Sequence, residues 1–317
     1  MARTQPLPKR LGASFRVADA LAAGVGRGRL RGPDLERPFH GIRSVSTEAD
    51  ESLHPLEERR QRILERARAF ASMLREDQFF SHETAALIWG APVPLRDERV
   101  HVSVAGDRSL PRRQGVVAHR VRPEMTSIRT HDGLPVSSPA ATWAMLGRRL
   151  AVADLVALGD FFCRVWRAGH GRPDVGRQPL TAPDQLATAL AAGRRPGAPR
   201  LREALALVRT DSWSPRESAT RCALVQAGLP EPELNQDIWS SRGEFLGCVD
   251  LSYPEARIAI EYQGELHASQ YAVDVERIAR LRAEGWIVIE VTKELLARPA
   301  ELVDRVRRAL RSRGCAV

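Results

Sequence analysis

Two short apolar runs on either side of a proline turn constrain the fold of this chain more than any other feature. Residues 245–251 read Phe-Leu-Gly-Cys-Val-Asp-Leu, and residues 257–263 read Arg-Ile-Ala-Ile-Glu-Tyr-Gln, with Tyr253, Pro254 and Glu255 between them. Apolar runs of this length bounded by turn residues are strands, and the proline turn pairs them as a hairpin. Side chains alternate between the two faces of a strand. Arg257, Ala259, Glu261 and Gln263 therefore share one face, while Ile258, Ile260 and Tyr262 share the other. Glu261 and Gln263 fall about 6.6–6.8 Å apart along the strand. In the hairpin Asp250 lies beside Glu261, cross-strand neighbours being about 5 Å apart at Cβ. Two carboxylates so close repel unless a proton or cation lies between them, and Mg²⁺ favours carboxylate oxygens. The pair predicts a divalent-cation site, the kind that activates water and stabilises charge on a phosphate under attack. The structural alternative has Asp250 opening the turn before Pro254 and Glu261 pairing with Arg257.

The flanking sequence supplies a domain around this hairpin. Ser214, Pro215 and Glu217 have capping-box spacing with proline at the first helical position, and that helix stops at Gly228. Strands over 234–239, 245–251 and 257–263 follow, then a helix over 273–283 ending at Gly285. A buried strand over 286–291 and a closing helix over 301–310 complete an α-β-β-β-α-β-α order. Asp274 and Arg277 are placed for an i,i+3 ion pair. His267 is either a general base or phosphate contact near the site, or a structural histidine.

Upstream, residues 1–45 read as a basic helix-turn-helix-like element: a short helix over 15–23, a glycine turn over 24–28, a second short helix over 29–35 and an extended wing over 38–45. Arg27, Arg29 and Arg31 are its candidate phosphate contacts, the alternative being a structural or tail-like segment without DNA contact. Residues 46–57 are acidic and aperiodic, a linker. A middle α/β domain over 58–166 opens with a long helix whose Ile63, Ala67, Phe70 and Leu74 recur at helical spacing. Ser81, His82, Glu83 and Thr84 invite a catalytic reading, but neighbours in one helical turn point apart, and Ser81 reads as an N-cap. His101 and His119 fall on two strands with no Cys, Asp or third His at ligand spacing, which favours a structural role. Residues 167–212 form a Gly/Pro/Arg-rich connector around one helix. Its Arg194, Arg195 and Arg200 are a solvated cluster or a phosphate track.

Length and charge bound the partners. A chain of 317 residues allows two or three domains, and its 43% apolar and 27% charged residues are those of a soluble globular protein. Residues 1–43 carry nine basic and three acidic side chains, a net +6 of the chain's +9, which favours polyanions. Only Lys9 and Lys293 are lysines among 48 basic residues. Arginine suits bidentate phosphate contacts, though a bias spread over every segment reads first as genomic base composition. Cys163, Cys222, Cys248 and Cys315 form no CxxC pair, as in a reducing compartment. No apolar run reaches the roughly 20 residues of a membrane span, and no secretory h-region is present. The expectation is a cytoplasmic protein.

The residues of the C-terminal third carry a resemblance. Asp250, then Glu261-Tyr262-Gln263, with Glu217 on the preceding helix, Gly264 and His267 after the second motif, and Asp274 and Arg277 on the next helix, are similar to the PD-(D/E)XK nuclease superfamily. Within it, they resemble bacterial domains related to very-short-patch-repair endonucleases. The resemblance implies a restriction-endonuclease-like α-β-β-β-α-β core and Mg²⁺- or Mn²⁺-dependent hydrolysis of phosphodiester bonds, with DNA as the expected substrate. It places Asp250 and Glu261 as metal ligands, Glu217 and His267 as assisting groups, Gln263 as the water-orienting group and Arg277 against nucleic acid. The superfamily's usual lysine, or the acid found in this branch, is replaced here by Gln263, an amide that can only orient water or phosphate through hydrogen bonds. The front half resembles antitoxin-like transcriptional regulators of abortive-infection systems, through Asp34-Leu35, Pro38-Phe39-His40-Gly41, Ser81 to Ala86 and Gly133 to Pro139. That likeness keeps a second expectation open, a non-catalytic DNA-binding regulator on a nuclease fold, and a third, a toxin–antitoxin partner acting through protein contacts. A homodimer is compatible with either of the first two, and no protein partner is identified.

Overall fold

A computed structural model describes residues 5–46, 53–264 and 268–317. Among these residues it is a mixed α/β protein with three sheets. The chain divides into two units, Met1–Leu146 with Thr188–Arg195, and Gly147–Ala187 with Pro196–Val317.

The first unit opens with β1 (Ser14–Arg16), α1 (Val17–Ala22), β2 (Leu35–Glu36) and β3 (Ile42–Val45), the strands forming a sheet in the order β1-β3-β2. The helix expected from residue 15 therefore starts at Val17, because Phe15 pairs with Arg43 across β1 and β3. The second helix expected over 29–35 is one 3-10 turn, Arg29–Arg31. Gly32 is extended there (φ −55, ψ 147) and Pro33 has no amide to continue the helix. The helix-turn-helix-like expectation is corrected accordingly to a small three-stranded sheet with one short helix. Phe15, Ala20, Val25, Leu30 and Leu35 form its core, whereas Phe39 and Ile42 pack with Ala67 and Phe70. Residues 1–45 are thus no separate body.

Next come α2 (Pro55–Ala71), β4 (Gln78–Phe80), α3 (His82–Ile88), β5 (Val100–Ala105), β6 (Val116–Val121), β7 (Ile128–His131), β8 (Leu134–Ser137) and α4 (Pro139–Met145). The expected linker ends early: Pro55 already starts α2, and residues 47–52 lie outside the described residues. The sheet runs β6-β5-β4-β8-β7, with β5 and β6 parallel. Ser81 stands at the α3 N-cap position without making a cap bond. Its Oγ instead accepts from Ser103 Oγ at 2.7 Å, and His82 follows at φ +52.

The second unit contains α5 (Val152–Cys163), and α6 (Pro183–Ala191) carries the chain back to the first unit's residues 188–195. Then follow α7 (Ala198–Leu207), α8 (Pro215–Gln226), β9 (Glu233–Trp239), β10 (Phe245–Tyr253), β11 (Ile258–Tyr262), α9 (Ala268–Ala283), β12 (Ile287–Val291), α10 (Lys293–Leu296) and α11 (Pro299–Ser312). The boundary falls after Leu146 rather than after residue 166, since α5 and α7 belong with α8. Asp160 of α5 explains part of that attachment: it accepts from Arg209 N and Ser218 Oγ, both at 2.7 Å, and faces the fully buried Arg221 at 3.8 Å.

The four-stranded sheet runs β12-β11-β10-β9, antiparallel except for the parallel β11–β12 pair. Ile258 and Ile260 pack on one face with Leu224, Leu302 and Val306, while Ala259 packs on the other with Leu281 of α9. This is the face alternation the sequence predicts. It turns Glu261 toward α9.

Candidate carboxylate site

The β10–β11 hairpin pairs Leu251 with Ile260 and Ser252 with Ala259, and the same register carried one step further sets Asp250 against Glu261, whose charge acts on it. Tyr262 N donates to Asp250 Oδ2 at 2.7 Å and fixes that carboxyl against the strand. Glu261 is 4% exposed. Glu217, in the first turn of α8, is also buried. The cap predicted for this helix forms, with Ser214 Oγ accepting from Glu217 N at 3.1 Å. Glu217 Oε2 in turn accepts from Trp213 N at 2.8 Å and from Asn235 Nδ2 at 2.9 Å.

Burial, then the charges of Glu261 and Glu217, push the Asp250 carboxyl up to about 8. Burial also raises Glu261, against the hydrogen bond and charge of Arg277, and raises Glu217, against bonds from Trp213, Asn235 and Ser214. Arg277, on α9, reaches Glu261 Oε1 at 2.6 Å and Asp274 Oδ1 at 2.6 Å. Burial works against its charge, but these two carboxylates hold it protonated. Gly247 makes room for it: this residue sits at φ +150, and a Cβ there would meet Arg277 Cδ at 2.7 Å. The Arg277–Asp274 ion pair expected from sequence is present, and it extends to Glu261. Glu261 is thus paired by Arg277 rather than by Arg257, which sits in the turn at φ +49 and donates to Glu284 O at 3.3 Å.

Arg277 acts on Glu261 and Arg164 on Glu217, while Asp250, half-buried between them, is pushed well above the usual carboxylate range. A hard divalent cation on Asp250 and Glu261 would favour their charged forms, so these residues fit Mg²⁺ or Mn²⁺. Gln263 follows β11 half-buried, its backbone N donating to Val291 O at 2.9 Å. His267 lies outside the described residues. Cys248 joins the surroundings as a thiol, burial pushing it up to about 12.

The expected phosphate-binding arginines are distributed differently. Arg27 and Arg31 are exposed. Arg29 is engaged by Asp34 in a bidentate pair at 2.9 and 2.7 Å. Arg277 is held by the two carboxylates, Arg195 donates to Ala189 O and Met125 O, and Arg200 donates to Arg148 O and Leu150 O. These are contacts within the fold. The first unit instead gathers Arg37, Arg66, Arg99, Arg112 and Arg113 around a cavity of about 610 Å³, with Arg66 over the Phe39 ring at 5.1 Å. These arginines arrive from separate segments of the sequence, which no local pattern joins. The same unit brings His82 to His101 and His119, supplying the third histidine that sequence spacing did not reveal.

Comparison with known proteins identifies relatives that are uncharacterised. The chain is 28% identical over 231 residues to uncharacterised proteins from two strains of Mycobacterium tuberculosis, covering 72% of this chain and 79% of each relative. No family model matches the chain. No solved structure matches it. Among the described residues, no helix is long and apolar enough to cross a membrane, and the four cysteines are unbridged.

Proposed function

We propose that this protein is a metal-dependent nuclease that hydrolyses phosphodiester bonds in DNA, with a restriction-endonuclease-like core in its second unit. The observation that carries the reading is the proximity of Asp250, Glu261 and Glu217, whose charges act on one another at the β10–β11 hairpin. Asp250 and Glu261 would hold Mg²⁺ or Mn²⁺, which when bound supplies a water of lowered pKa and a Lewis acid for the phosphate. Tyr262 N keeps Asp250 aimed, and Arg277 orients Glu261 from α9. Glu217, fixed by Trp213 N and Asn235, adds negative charge behind the pair. Gln263, just past the end of β11, would orient water by hydrogen bonding. Trp239, 54% exposed, meets Phe245 edge to face at 5.3 Å, and Phe245 stacks on His170 at 4.2 Å. This aromatic step is suited to stacking unpaired bases.

A second reading, a DNA-binding regulator without catalysis, is favoured by the five-arginine cavity of the first unit and by Gln263 in place of lysine. Incubation of the purified chain with single- and double-stranded DNA and RNA, in Mg²⁺ or Mn²⁺, separates the two. Cleavage that EDTA stops and that Asp250→Ala and Glu261→Ala both abolish supports the nuclease. Salt-sensitive binding that survives both substitutions, with no cleavage in any condition, replaces it with the regulator.

A further inference from the structure

His82, His101 and His119 come from three elements to one spot in the first unit. On the parallel strands β5 and β6, Ser103 stands opposite His119, so His101, Ser103 and His119 share a sheet face. The first residue of α3 lays His82 on that face, its ring stacked on His119 at 3.7 Å between centroids and 21° between planes. One ligand nitrogen from each histidine lies within 4.8 Å of the others. His82 is 8% exposed, His101 is 3% exposed and His119 is half-buried.

The three nitrogens are near enough that small side-chain rotations would bring them onto one ion in place of the His101–His119 hydrogen bond. Zn–N bonds of about 2.0–2.1 Å in a tetrahedron place donor atoms about 3.3 Å apart. His101 Nδ1 lies 2.9 Å from His119 Nε2 and 3.5 Å from Glu83 Oε2, on either side of that value. Glu83 is itself buried, which puts a carboxylate where a bound dication needs a compensating charge. A second observation is independent of the distances. His82 holds φ +52, a backbone conformation uncommon for any residue with a Cβ, and does so at the start of a helix. Its local surroundings are polar and interlocked: Ser103 Oγ donates to Ser81 Oγ, His82 Nδ1 contacts Ser81 Oγ at 3.0 Å, and His101 N donates to Thr84 Oγ1 at 2.8 Å. His82 thus has its Nδ1 held by Ser81, which makes Nε2 its ligand atom, the support that metal-ligating histidines use.

We propose that the first unit binds one divalent transition-metal ion of the Zn²⁺ class through His82, His101 and His119, with Glu83 supplying adjacent negative charge. Three imidazoles select Zn²⁺, Co²⁺ or Ni²⁺ over Mg²⁺, which takes oxygen ligands. The site shares no residue with the carboxylate cluster and stands whether or not the nuclease reading does.

The test uses the full chain, dialysed against Zn²⁺ for elemental analysis and separately titrated with Co²⁺. The expected result is one tightly held Zn²⁺ per chain, retained when Asp250→Asn and Glu261→Gln are combined, and an intense visible Co²⁺ spectrum of four-coordinate type. His119→Gln, at the half-buried position, and His101→Gln should each weaken binding by more than about tenfold. They should also abolish the rise in unfolding temperature that Zn²⁺ gives the parent. The proposal is overturned if the parent retains only trace Zn²⁺, if Co²⁺ shows only the weak spectrum of an octahedral ion, or if folded histidine variants bind as the parent does. Should either variant fail to fold, the Co²⁺ spectrum of the parent decides.

Discussion

Replacing Asp250 by Asn should stabilise the protein while removing a proposed metal ligand. The Asp250 carboxyl rises from an ordinary 3.8 to about 8, through burial first and then Glu261 and Glu217. Each unit is about 1.4 kcal/mol, so ionising this group in the folded state costs at most about 6 kcal/mol. Water entry and local relaxation reduce that ceiling, and we expect about 2–3 kcal/mol to be recovered. Because the folded value lies above the unfolded one, the proton's contribution is complete below pH 3.8 and is lost as pH rises through about 8. Without divalent metal, the parent therefore loses stability across that interval. The variant has no such charge, and its amide oxygen can still accept from Tyr262 N. At about 2–4 °C per kcal/mol for a unit of this size, Asp250→Asn should melt about 4–12 °C above the parent at pH 8 in EDTA. The gap should narrow toward pH 5, and saturating Mg²⁺ should raise the parent alone. Calorimetry at both pH values reads this directly. A variant no more stable than the parent at pH 8, or a gap that does not depend on pH, refutes the charge-repulsion argument.

Gly247→Ala should cost about 1–3 kcal/mol, since the added Cβ would lie 2.7 Å from Arg277 Cδ on a backbone at φ +150; an unchanged denaturant midpoint would show that Arg277 does not lie across β10. Arg221→Ala should destabilise the second unit by about 3–5 kcal/mol, because it strips Asp160 and Glu231 of a fully buried partner held at 2.8 Å from Glu231. Thermal unfolding checks this, and a loss below about 1 kcal/mol would mean that water takes over the arginine's bonds. Trp239→Ala should leave the melt unchanged and weaken single-stranded DNA binding by about 1–3 kcal/mol, read by fluorescence anisotropy; equal affinity would remove the stacking step.

Local patterns and long-range pairings contributed unequally to what the sequence disclosed. The C-terminal element order, the Ser214 cap and the face on which Glu261 sits all follow from neighbours in the chain, so periodicity and capping chemistry were sufficient. The N-terminal helix over 15–23 was overextended because Phe15 is drawn into β1 by Arg43, 28 positions away, a pairing that no local signal announces. Arg277 was readable as the partner of Asp274, one turn earlier, but its bond to Glu261 depends on α9 lying over β10 at Gly247. The histidine cluster was hidden for a related reason. Helical geometry argued against Ser81, His82 and Glu83 cooperating, whereas His82 lies at φ +52, before regular helical backbone begins.

The proposed nuclease requires Asp250 and Glu261 together to hold one divalent cation. Titrating the full chain with Mn²⁺ and following the free ion by electron paramagnetic resonance tests it without needing the substrate. The parent and His119→Gln should each sequester one equivalent of Mn²⁺, and Asp250→Asn and Glu261→Gln should each lose it while remaining folded. Equal Mn²⁺ binding by parent and both carboxylate variants, or none by the parent, would contradict it.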